Sequence, residues 1–114
     1  MLIYAVIVFA IAAVGGLVLA ATVLSGQLAS WVISLAHAAL GATGLILVLM
    51  ALLQGAGGYA PVAFGILLVA ALGGFFLASF HLRKQPGPKA VVAIHALVAV
   101  TGFVTLAGVA FKLI

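Results

Sequence analysis

The sequence predicts an all-α membrane fold, an up-down-up-down bundle of four transmembrane helices built from two parallel αα-hairpin repeats offset by 58 residues. Three observations predict it. Of 114 residues, 69% are apolar, 4% are charged and none is Asp or Glu, whereas a soluble domain carries about 25% charged residues. Four stretches free of charge each reach the roughly 20 residues that a helix needs to cross a hydrocarbon core. Finally, the second half of the chain repeats the first without a gap.

The first span is expected over Leu2–Leu24. It lacks the basic n-region of a signal peptide, and its apolar run exceeds the roughly 7–15 residues of an h-region, so it reads as a retained helix. The second span, Trp31–Leu53, follows the short connection Ser25–Ser30; the third, Ala60–Leu82, follows Gln54–Tyr59 with its GAGG run. The fourth, Ala90–Phe111, follows Arg83–Lys89 with its PGP turn. Connections this short join antiparallel neighbours, which makes residues 1–114 one four-helix domain with repeats 1–56 and 59–114. Tyr4, Trp31 and Tyr59 fall at span ends, where amphipathic rings favour the headgroup layer.

The absence of carboxylate side chains removes paired-acid hydrolysis, calcium loops, two-metal phosphoryl transfer, the Ser-His-Asp triad and proton-coupled export through a membrane acid. The absence of Cys removes disulfides, thiolate zinc sites and iron–sulfur clusters. Four cations among 114 residues set topology rather than form a nucleic-acid patch, so no nucleic-acid partner is expected. Arg83, Lys84 and Lys89 share the third connection, which the positive-inside rule places in the cytoplasm of a bacterial inner membrane, with both termini outward; Lys112 argues weakly the other way.

Sliding the chain by 58 positions lays AAVGGLVLA (Ala12–Ala20) on AALGGFFLA (Ala70–Ala78) and HAALGATG (His37–Gly44) on HALVAVTG (His95–Gly102). Thirteen of 56 overlapping pairs are identical, about twice the chance level for so Ala- and Leu-rich a chain, and a rare His falls on a His. Two helices per repeat mean that both halves enter the membrane in the same sense. The second and fourth helices then share one diagonal, with His37 and His95 at equal depth on either side of the axis.

An imidazole in hydrocarbon is costly unless it is paired, coordinated or hydrogen-bonded. Adjacent helix axes about 9–10 Å apart give a diagonal of about 13–14 Å, too wide for direct contact but suited to two inward imidazoles on opposite faces of one haem iron. Gly41 and Gly44, at i+4 and i+7 from His37, and Gly102, at i+7 from His95, are expected to leave room for a flat macrocycle. Gly15 and Gly73 read as packing residues, within small-residue stripes that include Ala12, Gly16 and Ala20 and their repeats Ala70, Gly74 and Ala78. Arg83 is expected to pair a haem propionate. His81, whose repeat position is Val23, reads as an interfacial histidine; a propionate partner, a proton relay to a quinone and a substitute ligand stay open. Thr43 and Thr101 are expected to bond their own i−4 carbonyls.

With its histidines on alternate helices, the chain resembles a minimal four-helix b-type cytochrome of the cytochrome b561 kind. The resemblance covers the bundle and the pair His37 and His95, and it implies a haem b protein that transfers single electrons. Three histidines cannot furnish two bis-His pairs, so one haem b is expected where the two-haem members of that kind hold two. The segment Phe80–Phe103 is also similar to a segment of small bacterial four-helix membrane proteins.

The expected function is therefore that of an electron carrier in the lipid bilayer, exchanging electrons with a quinone or with other membrane redox subunits. Two alternatives stand beside it. One is a haem-dependent membrane oxidoreductase, with His81 and Arg83 lining a substrate cleft; the other is a cofactor-free accessory subunit or transporter whose histidines bond across the bundle.

Overall fold

A computed structural model describes residues 1–114, and it is all helical: α1 Leu2–Leu24, α2 Trp31–Leu53, α3 Ala60–Leu82 and α4 Lys89–Ala110. Each helix is long and apolar enough to cross a membrane. A helix of 23 residues spans about 34 Å at 1.5 Å per residue, and the molecule measures 42 × 22 × 19 Å, the long dimension matching a bilayer with its headgroups. Three spans coincide with the sequence expectation. The fourth begins one residue earlier, because Pro88, which has no N–H, takes the N-cap position with φ −58° and ψ 134° and lets Lys89 start the helix, and it ends one residue earlier, at Ala110, with Phe111 as the C-cap.

Helices adjacent in sequence pack together and α1 also packs on α4, while α1–α3 and α2–α4 make no close backbone approach. The result is a four-cornered ring in which α2 and α4 face each other across one diagonal and α1 and α3 across the other. Each helix is apolar around its whole circumference, as lipid on one side and a core on the other require.

All four helices close with the same backbone device. The residue after the C-cap turns into the left-handed region, so that its N–H and the next one return to carbonyls of the last turn: Gly26, Gly55, Lys84 and Lys112 occupy that position at φ 83°, 99°, 56° and 59°. Gly is the ordinary occupant there, and two lysines stand in for it in the second repeat.

The interior is organised by the 58-residue offset. Buried residues pair as Ala5 with Ala63, Phe9 with Leu67, Ala12 with Ala70, Gly44 with Gly102 and Val48 with Leu106. Phe9 lies on Gly44, where an added Cβ would sit 2.6 Å from the ring, and Leu67 lies on Gly102 in the same way at 2.7 Å. Of the 14 buried residues, only Val92 belongs to the half of the bundle that holds the histidines. The other half, toward Met1 and the Gln54–Tyr59 connection, therefore carries the packed core.

Gly44→Ala should lower thermal stability in detergent by about 1–3 kcal/mol, because the new methyl must displace a buried ring. The double variant Gly44→Ala/Phe9→Ala should lose less than the sum of the two single changes. Strict additivity in that cycle would show that the Phe9–Gly44 contact does not set the helix spacing.

Candidate functional site: a histidine pair across the bundle

His37 and His95 each lie six residues into their helices, which places them at one depth on the two diagonal helices. Their ring centroids are 6.3 Å apart and the ring planes stand at 83°. The expected gap is thus narrower than the helix diagonal implied, and the rings come within the edge-to-face range of aromatic pairs. They reach this far because each lies on a glycine pair of its own hairpin.

On the first hairpin, a Cβ at Gly16 would stand 2.9 Å from His37 Cε1, and one at Gly15 would stand 3.8 Å from His37 Cβ. On the second, a Cβ at Gly74 would stand 3.2 Å from His95 Cε1, and one at Gly73 would stand 3.5 Å from His95 Nδ1. Both imidazoles thereby lie against α1 and α3, tightly at Gly16 and less so at Gly74, with Gly15 and Gly73 in ordinary van der Waals contact.

Hydrogen bonding fixes the orientation of the first ring. His37 Nδ1 donates to the Ala12 carbonyl at 2.8 Å; a carbonyl only accepts, so the ring hydrogen is on Nδ1 and the neutral ring keeps its lone pair on Nε2. In the second repeat the corresponding Ala70 carbonyl faces His95. The His95 Nδ1 is buried without reaching hydrogen-bond geometry, and it is the one buried side-chain polar atom left so. Neither Nε2 makes a hydrogen bond, and neither belongs to the fully buried, unpartnered atoms. On His37, whose Nδ1 carries the hydrogen, Nε2 therefore keeps its lone pair free of any protein donor.

The remaining expected site residues are placed differently. Gly44 and Gly102 are covered by Phe9 and Leu67, so the space expected there for a macrocycle is filled by side chains, and Gly41 has nothing within 4 Å of where its Cβ would be. The glycines that meet the imidazoles are Gly15, Gly16, Gly73 and Gly74, which read as packing residues in the sequence. The repeated AAVGGLVLA and AALGGFFLA segments carried that signal, since a Gly-Gly pair coincides in both halves in register with the His pair.

His81 stacks on Trp31 with centroids 3.8 Å apart and planes 8° from parallel, and its Nδ1 lies 3.4 Å from Ser34 Oγ. This clasp joins α3 to α2 near the Arg83 end of the bundle. The three histidines do not gather into one metal-ligating cluster. Arg83, expected beside a propionate, is exposed and turned along its own helix: Nε donates to the Ser79 carbonyl at 3.2 Å, and Cζ lies 4.6 Å from the Phe80 ring centre. Thr43 and Thr101 donate to Ala39 and Leu97 carbonyls at 2.8 Å, as expected. The surface grooves lie elsewhere. One, of about 340 Å³, runs between α3 and α4 beside Ile66, Val69 and Leu97, and one of about 420 Å³ lies beside Phe103 and Ile114; neither touches a histidine.

The closer clamp at Gly16 generates a graded expectation. Gly16→Ala should displace the His37 ring and weaken its bond to Ala12, while Gly74→Ala should disturb His95 less, since the new methyl has 3.2 Å rather than 2.9 Å. Imidazole nitrogen shifts of the two histidines report the difference. Unchanged His37 shifts in Gly16→Ala would contradict the clamp.

No protein-family model matches the chain, and no curated protein or solved structure matches it either.

Proposed function

We propose that the protein is a membrane b-type cytochrome in which His37 and His95 hold one haem b and which passes single electrons within the bilayer, with a quinone as the exchange partner. The observation that carries this reading is the histidine pair itself. Two imidazoles at one depth, in a chain without a single carboxylate side chain, stand with ring centroids 6.3 Å apart and neither Nε2 hydrogen-bonded, while a backbone carbonyl holds His37 Nδ1. A carbonyl-anchored Nδ1–H with a free Nε2 is the arrangement that orients imidazole as a metal ligand.

The spacing supports it. Two metal–nitrogen bonds of about 2.0 Å, with about 1.1 Å from each nitrogen to its ring centre, separate two opposed imidazole centroids by about 6 Å, and the centroids here are 6.3 Å apart. Packing supports it as well. Protein interiors ordinarily fill to crystal-like density, yet the histidine half of the bundle buries only Val92, and the α1 and α3 residues against the imidazole rings are glycines: Gly15, Gly16, Gly73 and Gly74. Phe9 and Leu67 close off the other half below the pair.

Two imidazole ligands leave no open coordination position, which suits electron transfer rather than oxygen chemistry. What the chain supplies is position and an apolar surrounding, with both imidazoles set against glycines and His37 held in addition by the Ala12 carbonyl. Three of the four cations, Arg83, Lys84 and Lys89, lie at the histidine end, and we place that end on the cytoplasmic side of a bacterial inner membrane.

His37→Ala and His95→Ala should each abolish the low-spin spectrum of the reduced, detergent-purified protein, leaving either a species that binds carbon monoxide or no haem. His81→Ala should keep the spectrum, because its ring is engaged with Trp31 and Ser34. Loss of haem in His81→Ala with retention in His95→Ala would overturn the pairing. Absence of haem from the parent protein after supplementation would favour the cofactor-free subunit. For the topology, a cytoplasm-only reporter fused after Ile114 should be silent, and activity there would reverse the orientation.

A further inference from the structure

We infer that the Arg83 end of the bundle is a binding site for an anionic phospholipid, with the headgroup phosphate held by Arg83, Lys84 and Lys89 and an acyl chain lying along Phe80 and Phe76.

The first observation is the lack of any internal counter-charge. With no Asp or Glu in the chain, three cations within seven residues, all exposed, have no side-chain carboxylate to pair with. Each cation near an anionic membrane surface contributes about 1 kcal/mol of attraction. That attraction alone gives orientation but no site.

Geometry supplies the site. Arg83 does not extend freely into water: Nε is tied to the Ser79 carbonyl and the guanidinium is laid over Phe80, leaving both Nη groups without a partner in the protein. Guanidinium is the group suited to bidentate capture of phosphate. The connection that carries the lysines is likewise held in place. Gly87 sits so close to Leu77 that a Cβ there would stand 2.6 Å from Cδ2, which presses the connection down onto α3. Lys84 takes the left-handed turn that ends α3, and its N–H returns to the His81 carbonyl.

Below the guanidinium the surface is aromatic. Phe80 meets Phe76 edge to face at 5.2 Å, and Phe76 is half exposed. A cationic fork above two rings on the outer surface of a membrane helix matches a lipid, which brings phosphate and hydrocarbon in that vertical order. Free phosphate would use only the upper part.

The site is independent of the histidine pair, since Arg83 is turned away from the interior. It is tested by native mass spectrometry of the purified full chain titrated in detergent with phosphatidylglycerol, phosphatidylcholine or inorganic phosphate. Phosphatidylglycerol should bind at least about tenfold more tightly than phosphatidylcholine. Arg83→Gln should weaken it about fivefold, and the triple variant Arg83→Gln/Lys84→Gln/Lys89→Gln about a hundredfold. Lys112→Gln, which removes one charge at the other end, should leave the affinity unchanged. Equal binding of the two lipids, equal binding of inorganic phosphate, or an equal loss in Lys112→Gln and Arg83→Gln would overturn the proposal. Should the triple variant not fold, the two single variants decide.

Discussion

An imidazole placed among hydrocarbon chains must find its polar partners within the protein, and this constraint organises the molecule around His37 and His95. His37 meets it by giving its Nδ1 hydrogen to the Ala12 carbonyl, a group one hairpin neighbour away. That carbonyl already belongs to a helix, so the bond adds an acceptor's second lone pair to the service of the ring rather than breaking the backbone ladder. The ring lies this close to α1 because Gly16 carries no side chain, whose Cβ would stand 2.9 Å from His37 Cε1. The second hairpin places His95 likewise against Gly73 and Gly74 and beside the Ala70 carbonyl, but its Nδ1 does not reach hydrogen-bond geometry and the contact at Gly74 is looser than that at Gly16, 3.2 Å against 2.9 Å.

From this follows a division of labour along the membrane normal. In the half toward Met1, interlocking pairs such as Phe9 on Gly44 and Leu67 on Gly102 draw the helices into a dry core. In the histidine half glycines on α1 and α3 meet the imidazoles, and full burial falls to a single valine. A well-packed half holds the four helices in register, so the histidine half need not carry the core. At its far rim the Trp31–His81 stack and the Ser34 contact tie α2 to α3, an adjacent pair with neither a hairpin turn nor a glycine-clamped histidine between them in that region.

Much of this architecture was legible in the sequence. The spans are visible because apolar runs end abruptly at Ser25, Gln54, Arg83 and the Pro-Gly-Pro turn, and the offset of 58 residues pairs Ala12 with Ala70 and His37 with His95. What was not legible is rotation about each helix axis. Every helix is apolar on all sides, so no polar face marks which residues point inward. Gly44 and Gly102 therefore looked as good as Gly16 and Gly74 for lying beside the rings, and only the packing of Phe9 and Leu67 separates them. The stack of His81 on Trp31 joins residues 50 positions apart in sequence and left no periodic trace. Arg83 has two possible directions at a helix end, and its own Phe80 and Ser79 decide for the outer surface.

The central claim is that His37 and His95 bind one iron from opposite sides, and the angle between their rings makes it open to a single spectroscopic test. Ring planes at 83° are nearly perpendicular, and perpendicular axial imidazoles leave the iron d orbitals close to degenerate. Electron paramagnetic resonance of the oxidised, haem-supplied protein should therefore show a highly anisotropic low-spin signal with one dominant low-field feature. A rhombic three-line low-spin spectrum, typical of coplanar imidazoles, would show that the pair does not hold the iron in the geometry described here. A high-spin signal, or no haem signal at all, would contradict joint ligation itself.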